Sequence, residues 1–211
     1  MTDESRGGAE LRGPGPQFPA SHDSRPQDPE PAIVLGRSCG TCSLCCKVYS
    51  IKELSKPAGR WCIHAGRGSG CTNHADRPHV CRQFFCSWLV DPNLGPEWKP
   101  EVSRFFLSAD PAYQALTLMV DPGMPLAWKR EPYYAVLKKF SYVFFRLNKK
   151  VLVNLRGHIT VVLPDRDAPI GVIAPGEEIV IWREGATYAA SLRRNLELAK
   201  APSANFSPGS M

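Results

Sequence analysis

The chain has 211 residues, 43% of them apolar, enough for one compact core or for a small module joined to a conventional domain. Its formal charge of +6 is mild and counts the eight cysteines as neutral thiols, so charge alone does not argue for a nucleic-acid partner. No run approaches about 18 consecutive apolar residues, so no membrane span is predicted.

The first residues, MTDESRGGAELRGPGPQF, lack the basic start and apolar run of a secretory signal. They also carry acids that a mitochondrial transit peptide avoids, so a cytoplasmic protein with reduced thiols is expected. Residues 1–32 hold Pro14, Pro16, Pro19, Pro26, Pro29 and Pro31 with four glycines and almost no aliphatic periodicity. Such a segment cannot bury enough apolar surface to offset its ordering entropy, and disorder is expected. A proline-rich docking tail is the functional alternative, but no PxxP run sits in a clear recognition context.

Residues 33–89 form a candidate cysteine module. From Ile33 to Leu89 the chain is rich in cysteine, glycine and basic residues and poor in aliphatics, so a self-sufficient core is not expected and a metal is the obvious staple. Within it, Ser43–Glu53 reads as a helix or turn leading into a brief strand.

Residues 90–202 read as an α+β region. Ser103–Ser108 and Ala115–Val120 are strand-like. Glu131–Leu147 is the best helix: Pro132 suits a first turn, and Tyr133, Val136, Leu137, Phe140, Phe144 and Leu147 recur at three- and four-residue steps. Val151–Leu155 and Ile159–Leu163 flank Arg156-Gly157, a hairpin turn signal, and Pro164-Asp165 ends the second strand. Glu178–Trp182 is a further strand, Thr187–Lys200 a closing helix, and residues 203–211 a frayed tail. The expected fold class is α+β, a loop-rich, metal-stapled cysteine module packed on a layer with antiparallel strands.

The chemistry lies in the cysteines: Cys39-x2-Cys42-x2-Cys45-Cys46, then Cys62, Cys71 and Cys81-x4-Cys86. Two cysteines separated by two residues can turn their sulfurs toward one ion from a tight turn. Adjacent residues usually point apart, so Cys45 and Cys46 are candidates for different sites, a hint of two ions or of one cluster and an extra thiolate. His64, His74, His79 and Asp76 lie nearby. Imidazole is a common ligand, but eight cysteines already suffice for two four-coordinate sites, which favours hydrogen-bonding or exposed histidines.

Between Arg37 and Cys86 eight Lys and Arg residues stand against Glu53 and Asp76. Such cations would offset the negative charge of thiolate centres, although a solvated basic face is the plain alternative. Disulfides fit the even count but not the expected reducing compartment. Zinc and iron–sulfur chemistry both suit thiolates in a short loop-rich segment. The ferredoxin spacing would place its next cysteine where Tyr49 stands, and the radical-adenosylmethionine spacing is absent.

The box Cys39-Gly40-Thr41-Cys42-Ser43-Leu44-Cys45-Cys46 and its downstream residues together resemble the signature of the zinc- or iron-chelating cysteine-cluster (CxxCxxCC) family. Downstream lie Lys56-Pro57-Ala58-Gly59-Arg60-Trp61-Cys62, then Cys71, then Arg77-Pro78-His79-Val80-Cys81-Arg82-Gln83-Phe84-Phe85-Cys86. The resemblance covers about residues 36–89. It implies a bacterial-type metal-binding protein, holding zinc or an iron–sulfur cluster, without fixing an activity. Relatives of this type are often described as iron–sulfur oxidoreductases, and one branch resembles flagellin lysine N-methylases. The present chain is shorter than those enzymes and has no further element that matches them.

Three function classes follow: a metal-binding protein with a structural or metal-handling centre, an oxidoreductase or protein-lysine N-methylase-like enzyme, and a zinc-type nucleic-acid module. The metal ion is the expected partner, with a protein partner on the α+β surface as a further option. Gly66-Arg67-Gly68-Ser69-Gly70 lacks the Gly-Lys-Ser/Thr of a phosphate loop and reads as a connector. Phe84, Phe85 and Trp88 are expected to pack the cysteine module onto the α+β layer rather than to stack bases.

Overall fold

A computed structural model describes residues 31–66, 68–110 and 114–194. Apart from residues 31 and 32, the tails expected at 1–32 and 203–211 lie outside that range. In chain order the elements are α1 (Leu44–Val48), the short strands β1 (Ala65–Gly66) and β2 (Gly70–Cys71), α2 (His79–Gln83), α3 (Ser87–Val90) and α4 (Pro100–Ser103). Then follow β3 (Phe105–Asp110), β4 (Ala115–Val120), α5 (Tyr133–Arg146), β5 (Lys150–Leu155), β6 (His158–Val162), β7 (Asp167–Gly171), β8 (Glu177–Glu184) and β9 (Thr187–Arg194). The protein is α+β, as expected.

The central sheet has strand order β3-β4-β5-β6-β7. Its pairs are antiparallel except β4 with β5, which run parallel because the chain crosses over through α5 between them. The β5–β6 loop is the two-residue turn expected at Arg156-Gly157. Both residues have positive φ, 54° and 88°, as the right-handed strand twist demands of such a tight hairpin.

Side chains alternate across β4 and so divide the core. Leu118 and Val120 join Phe105, Leu107, Val151, Val153 and Leu137 on one face, the face α5 covers. Met119 points the other way and, with Phe106, meets Leu44, Val48, Tyr49 and Leu89 of the cysteine module. Farther along, Leu152, Val161 and Leu163 meet Ile179 and Tyr188 of the separate β8–β9 hairpin. The module thus has a core after all, but a shared one: two of its seven buried members, Phe106 and Met119, come from the sheet.

One expected element is corrected. The described part of the predicted closing helix, Thr187–Arg194, is strand β9, paired antiparallel with β8 over its whole length. Ala, Leu and Arg favour a helix, yet Tyr188 is buried against the sheet and Leu192 lies across from Ile179, so tertiary pairing overrides propensity. Residues 195–200 of that prediction lie outside the described residues. Strand β7 is an addition; its Pro169 is tolerated because β7 is an edge strand. Helix α5 starts right after Pro132 and ends at Arg146, leaving Leu147 exposed beyond the buried stripe.

Asp167 ties α5 to the β6–β7 turn. It accepts hydrogen bonds from Lys138 Nζ at 2.8 Å and Tyr134 Oη at 3.0 Å, and pairs with Lys129 at 3.1 Å. Burial alone would raise its pKa, but the bonds from Lys138 and Lys129 prevail and hold it below the ordinary carboxylate range. A depressed carboxyl stabilises the fold at pH above its unfolded value, near 4, and loses that contribution as pH falls through the folded value. Asp167→Asn is therefore expected to lower stability by about 1–2 kcal/mol at pH 7, with half-exposed Lys129 adding little, and to flatten the acid limb below about pH 4. Urea denaturation at pH 7 and pH 3 checks this; an equal loss at both would contradict it.

Candidate metal centre

Backbone hydrogen bonds explain how the cysteines meet. The amide of Cys42 donates to the carbonyl of Cys39 at 2.8 Å, closing the turn that carries the first pair, and α1 carries Cys45 and Cys46. After a tight loop bridged at Ile51 and Lys56, the chain runs back along α1. There the amides of Gly59 and Cys62 donate to the carbonyls of Val48 and Cys46 at 3.2 and 3.0 Å, which seats Cys62 beside Cys46. Orphan helix carbonyls need such partners, so the return of the chain is built into the end of α1.

Strands β1 and β2 pair antiparallel, Gly66 with Gly70, which places Cys71 opposite Ala65. Gly70 has φ of +79°, and a Cβ there would stand 2.2 Å from the carbonyl oxygen of Gly40. Only glycine lets the hairpin rest on the Cys39 turn. Gly70→Ala is expected to cost about 1–3 kcal/mol in backbone strain and to lift Cys71 away from Cys39. A lower melting temperature with faster alkylation of both thiols would bear this out; unchanged thiol reactivity would contradict it.

Cys81 rides on α2, and Cys86 immediately precedes α3. Arg37 fastens the two ends of the module together. Its guanidinium donates to the carbonyls of Trp88, Asp91 (2.8 Å) and Leu94 (2.6 Å) and lies over the Trp88 ring, 4.9 Å from the centroid. Beneath the cysteines, Tyr49, Phe84 and Phe106 form a mutual trio of ring contacts with centroids 5.0–5.2 Å apart. Phe84, Phe85 and Trp88 pack into the interface with the sheet.

All eight predicted site residues are free cysteines, half-buried except Cys62 and Cys86, which are buried. The Cys45 thiol acts as a hydrogen-bond donor toward the neighbouring Cys46 in setting their acidities. That bond, with burial, raises Cys45 well above the ordinary thiol value. The same bond, assisted by the Lys56 ammonium against the effect of burial, pushes Cys46 down to about 7. Burial raises Cys39, opposed by Arg77 and reinforced by Cys46 and Cys71. It raises Cys42 too, and pushes Cys81 and Cys86 up to about 11, with Cys46 and Cys62 adding to Cys81 and Cys42 and Cys39 adding to Cys86.

Sequence reasoning missed the support that Lys56 gives. Lys56 is buried, 7% exposed, and donates to the carbonyls of Lys47 (3.1 Å) and Tyr49 at the end of α1. Burial lowers its pKa, while Cys62, Cys46, Cys45 and Cys81 favour its charged form. The signal was the count of basic residues, but nothing in the count said which one would turn inward.

The backbone amide of His64 donates to Cys62 Sγ at 3.5 Å, His74 is exposed against the Arg77 guanidinium, and His79 opens α2. Asp76 is exposed, and its carbonyl accepts from Asn73 at 3.2 Å.

The donor set, thiols beside cations, is chemically suited to zinc or an iron–sulfur cluster. Two buried N–H groups, Arg77 Nε and Trp88 Nε1, have no hydrogen-bond partner. Arg77 is an electrostatic neighbour of Cys39 and Cys46, and Trp88 lines the apolar wall that also holds four of the cysteines. Buried donors of this kind fit thiolate or sulfide acceptors, which hydrogen bonds stabilise. Among the described residues, no three His, Cys, Asp or Glu side chains are grouped so as to hold an ion as they stand. No described helix is long and apolar enough to cross a membrane. Comparison of the chain with family models, with curated proteins and with solved structures finds no match.

Proposed function

We propose that this is a cysteine-cluster metal-binding protein of the cytoplasm, in which Cys39, Cys42, Cys45, Cys46, Cys62, Cys71, Cys81 and Cys86 hold zinc or an iron–sulfur cluster as thiolates. One observation supports the reading: free cysteines from separate segments are drawn together by the backbone, with Cys42 folded back on Cys39 and Cys62 hydrogen-bonded to Cys46, beside the buried cation Lys56. The resemblance to the CxxCxxCC signature points the same way. Binding requires the thiols to lose protons and to swing onto a common ion by rotation between staggered side-chain positions.

The nucleic-acid reading is weakened because three module cations are engaged internally. Arg37 and Lys56 cap backbone carbonyls, and Lys47 pairs with Asp121. Oxidoreductase or lysine-methylating activity has no specific observation in its favour.

Purification without oxygen, followed by metal and acid-labile sulfide analysis, tests the proposal. A colourless protein with bound zinc, or a brown one with iron and sulfide, supports it. Protein that carries neither and takes up neither would overturn it.

A further inference from the structure

An open sheet edge offers unpaired amides and carbonyls to any further strand, and folded proteins blunt such edges with side chains, proline or covering segments. Three edges of this fold are blunted. On β3, Ser87 Oγ donates to the carbonyl of Leu107 at 3.0 Å. On β7, Pro169 leaves one donor missing. On β9, the amide of Tyr188 donates to the Asp165 carboxylate at 3.2 Å.

Strand β8 has none of these devices. It runs from Glu177 to Glu184 without proline, lysine or an irregularity in its pairing with β9. The two-residue turn at Gly185-Ala186 makes Glu184 and Thr187 a hydrogen-bonded pair, and such pairs alternate along an antiparallel ladder. The even-numbered residues of β8 therefore bond to β9, while Ile179, Ile181 and Arg183 turn their amides and carbonyls to the other side. The amide of Tyr188, which stands opposite Arg183, likewise faces away from the ladder, as its bond to Asp165 requires. Among the described residues no backbone hydrogen bond reaches Ile179, Ile181 or Arg183 from the open side. The nearby segment Asn148–Lys150 does not seal that side, because a cavity of about 70 Å³ lies between it and Ile179–Ile181. Trp182, in the same stretch, is 43% exposed.

We propose that β8 is the interface for a second copy of this chain, the two β8 strands pairing antiparallel about a two-fold axis. The two hairpins then join into one four-stranded sheet. The inference stands apart from the metal-binding reading, and either can fail without the other. The strand's own sequence selects both occupant and register. A two-fold axis normal to the sheet keeps every side chain on its own face, so a central residue must stand opposite its own copy. With Val180 at that point, Ile179 meets Ile181, Trp182 lies diagonal to the second Val180, and Glu177 meets Arg183 twice over. Both charges are already oriented: the Ala174 amide donates to Glu177 at 2.8 Å, and Arg183 donates to the Gly185 carbonyl at 2.8 Å. A two-residue slip in one direction would set Glu178 against Glu184. A slip in the other would set Glu177 against Ile181 and leave Arg183 without an acid. An antiparallel copy in the Val180 register is the occupant that this charge pattern fits.

One strand against one strand is a small joint beside the ~1,600 Å² of a standard interface, so a dissociation constant of roughly 10–100 µM is expected. Sedimentation of the full-length protein as purified, from about 1 to about 500 µM, reads it directly. Ile181→Pro removes an outward donor and leaves the β9 ladder whole. It should weaken association at least about tenfold, with little change in the melting temperature of dilute protein. Arg183→Glu sets acid against acid and should weaken association about threefold or more, and adding Glu177→Arg should restore it. A protein that stays monomeric throughout, or a dimer indifferent to both the proline and the charge reversal, would overturn the proposal. If Ile181→Pro fails to fold, the single and double charge variants decide.

Discussion

Serine in place of Cys42 or Cys81 is expected to deplete bound metal and to lower the melting temperature by roughly 5–10 °C. Structural zinc contributes on the order of 10 kcal/mol of binding free energy in total, and one ligand in four accounts for roughly 3 kcal/mol of it. In a domain of this size each kcal/mol is worth about 2–4 °C. The metal-free chain should hardly notice the exchange, because serine nearly matches cysteine in volume. Chelator-treated wild type and either variant should therefore melt together. Hydrogen exchange should locate the damage: the amides of Gly59 and Cys62, bonded to α1, should lose protection while β4 and β5 keep theirs. Variants with full metal content and wild-type melting would remove these two residues from the ligand set.

Phe106→Ala should have the second large effect, a loss of about 3–5 kcal/mol. Phe106 is 1% exposed and stands under Tyr49 and Phe84, joining the sheet to the cysteine module. Its neighbour Phe105, 0% exposed, points to the opposite face and packs with Trp98 and Tyr133. Phe105→Ala should cost a similar amount, so stability alone will not separate the two. Thiol reactivity will: Cys42 and Cys86 should alkylate faster in Phe106→Ala and not in Phe105→Ala. Equal reactivity in the two variants would mean that the module does not depend on the sheet for its floor.

The contrast between these neighbours shows what a one-dimensional reading can and cannot reach. Strand β4 was legible because Ala115–Val120 is apolar and β-prone, and the β5–β6 hairpin because Arg156-Gly157 supplies a tight turn. Helix α5 was legible from its three- and four-residue apolar steps. Strand β9 was not, since TYAASLRR has helix-forming composition and only the presence of β8 alongside makes it a strand. The shared core was illegible for a similar reason: Leu44, Val48 and Leu89 are too few alone, and their partners Phe106 and Met119 arrive from elsewhere in the chain. The spacing of the cysteines was legible, but not which segments would meet, because that depends on the backbone hydrogen bond from Cys62 to Cys46 and on the Gly70–Gly40 approach, contacts between segments with no fixed offset. Arg37 and Lys56 likewise read as ordinary surface cations until the carbonyls they cap are seen.

X-ray absorption at the edge of whatever metal accompanies the purified protein asks the central question most directly. Thiolate ligation predicts a shell of about four sulfur neighbours at roughly 2.3 Å. A shell made only of nitrogen and oxygen, or an absence of stoichiometric metal, would contradict it.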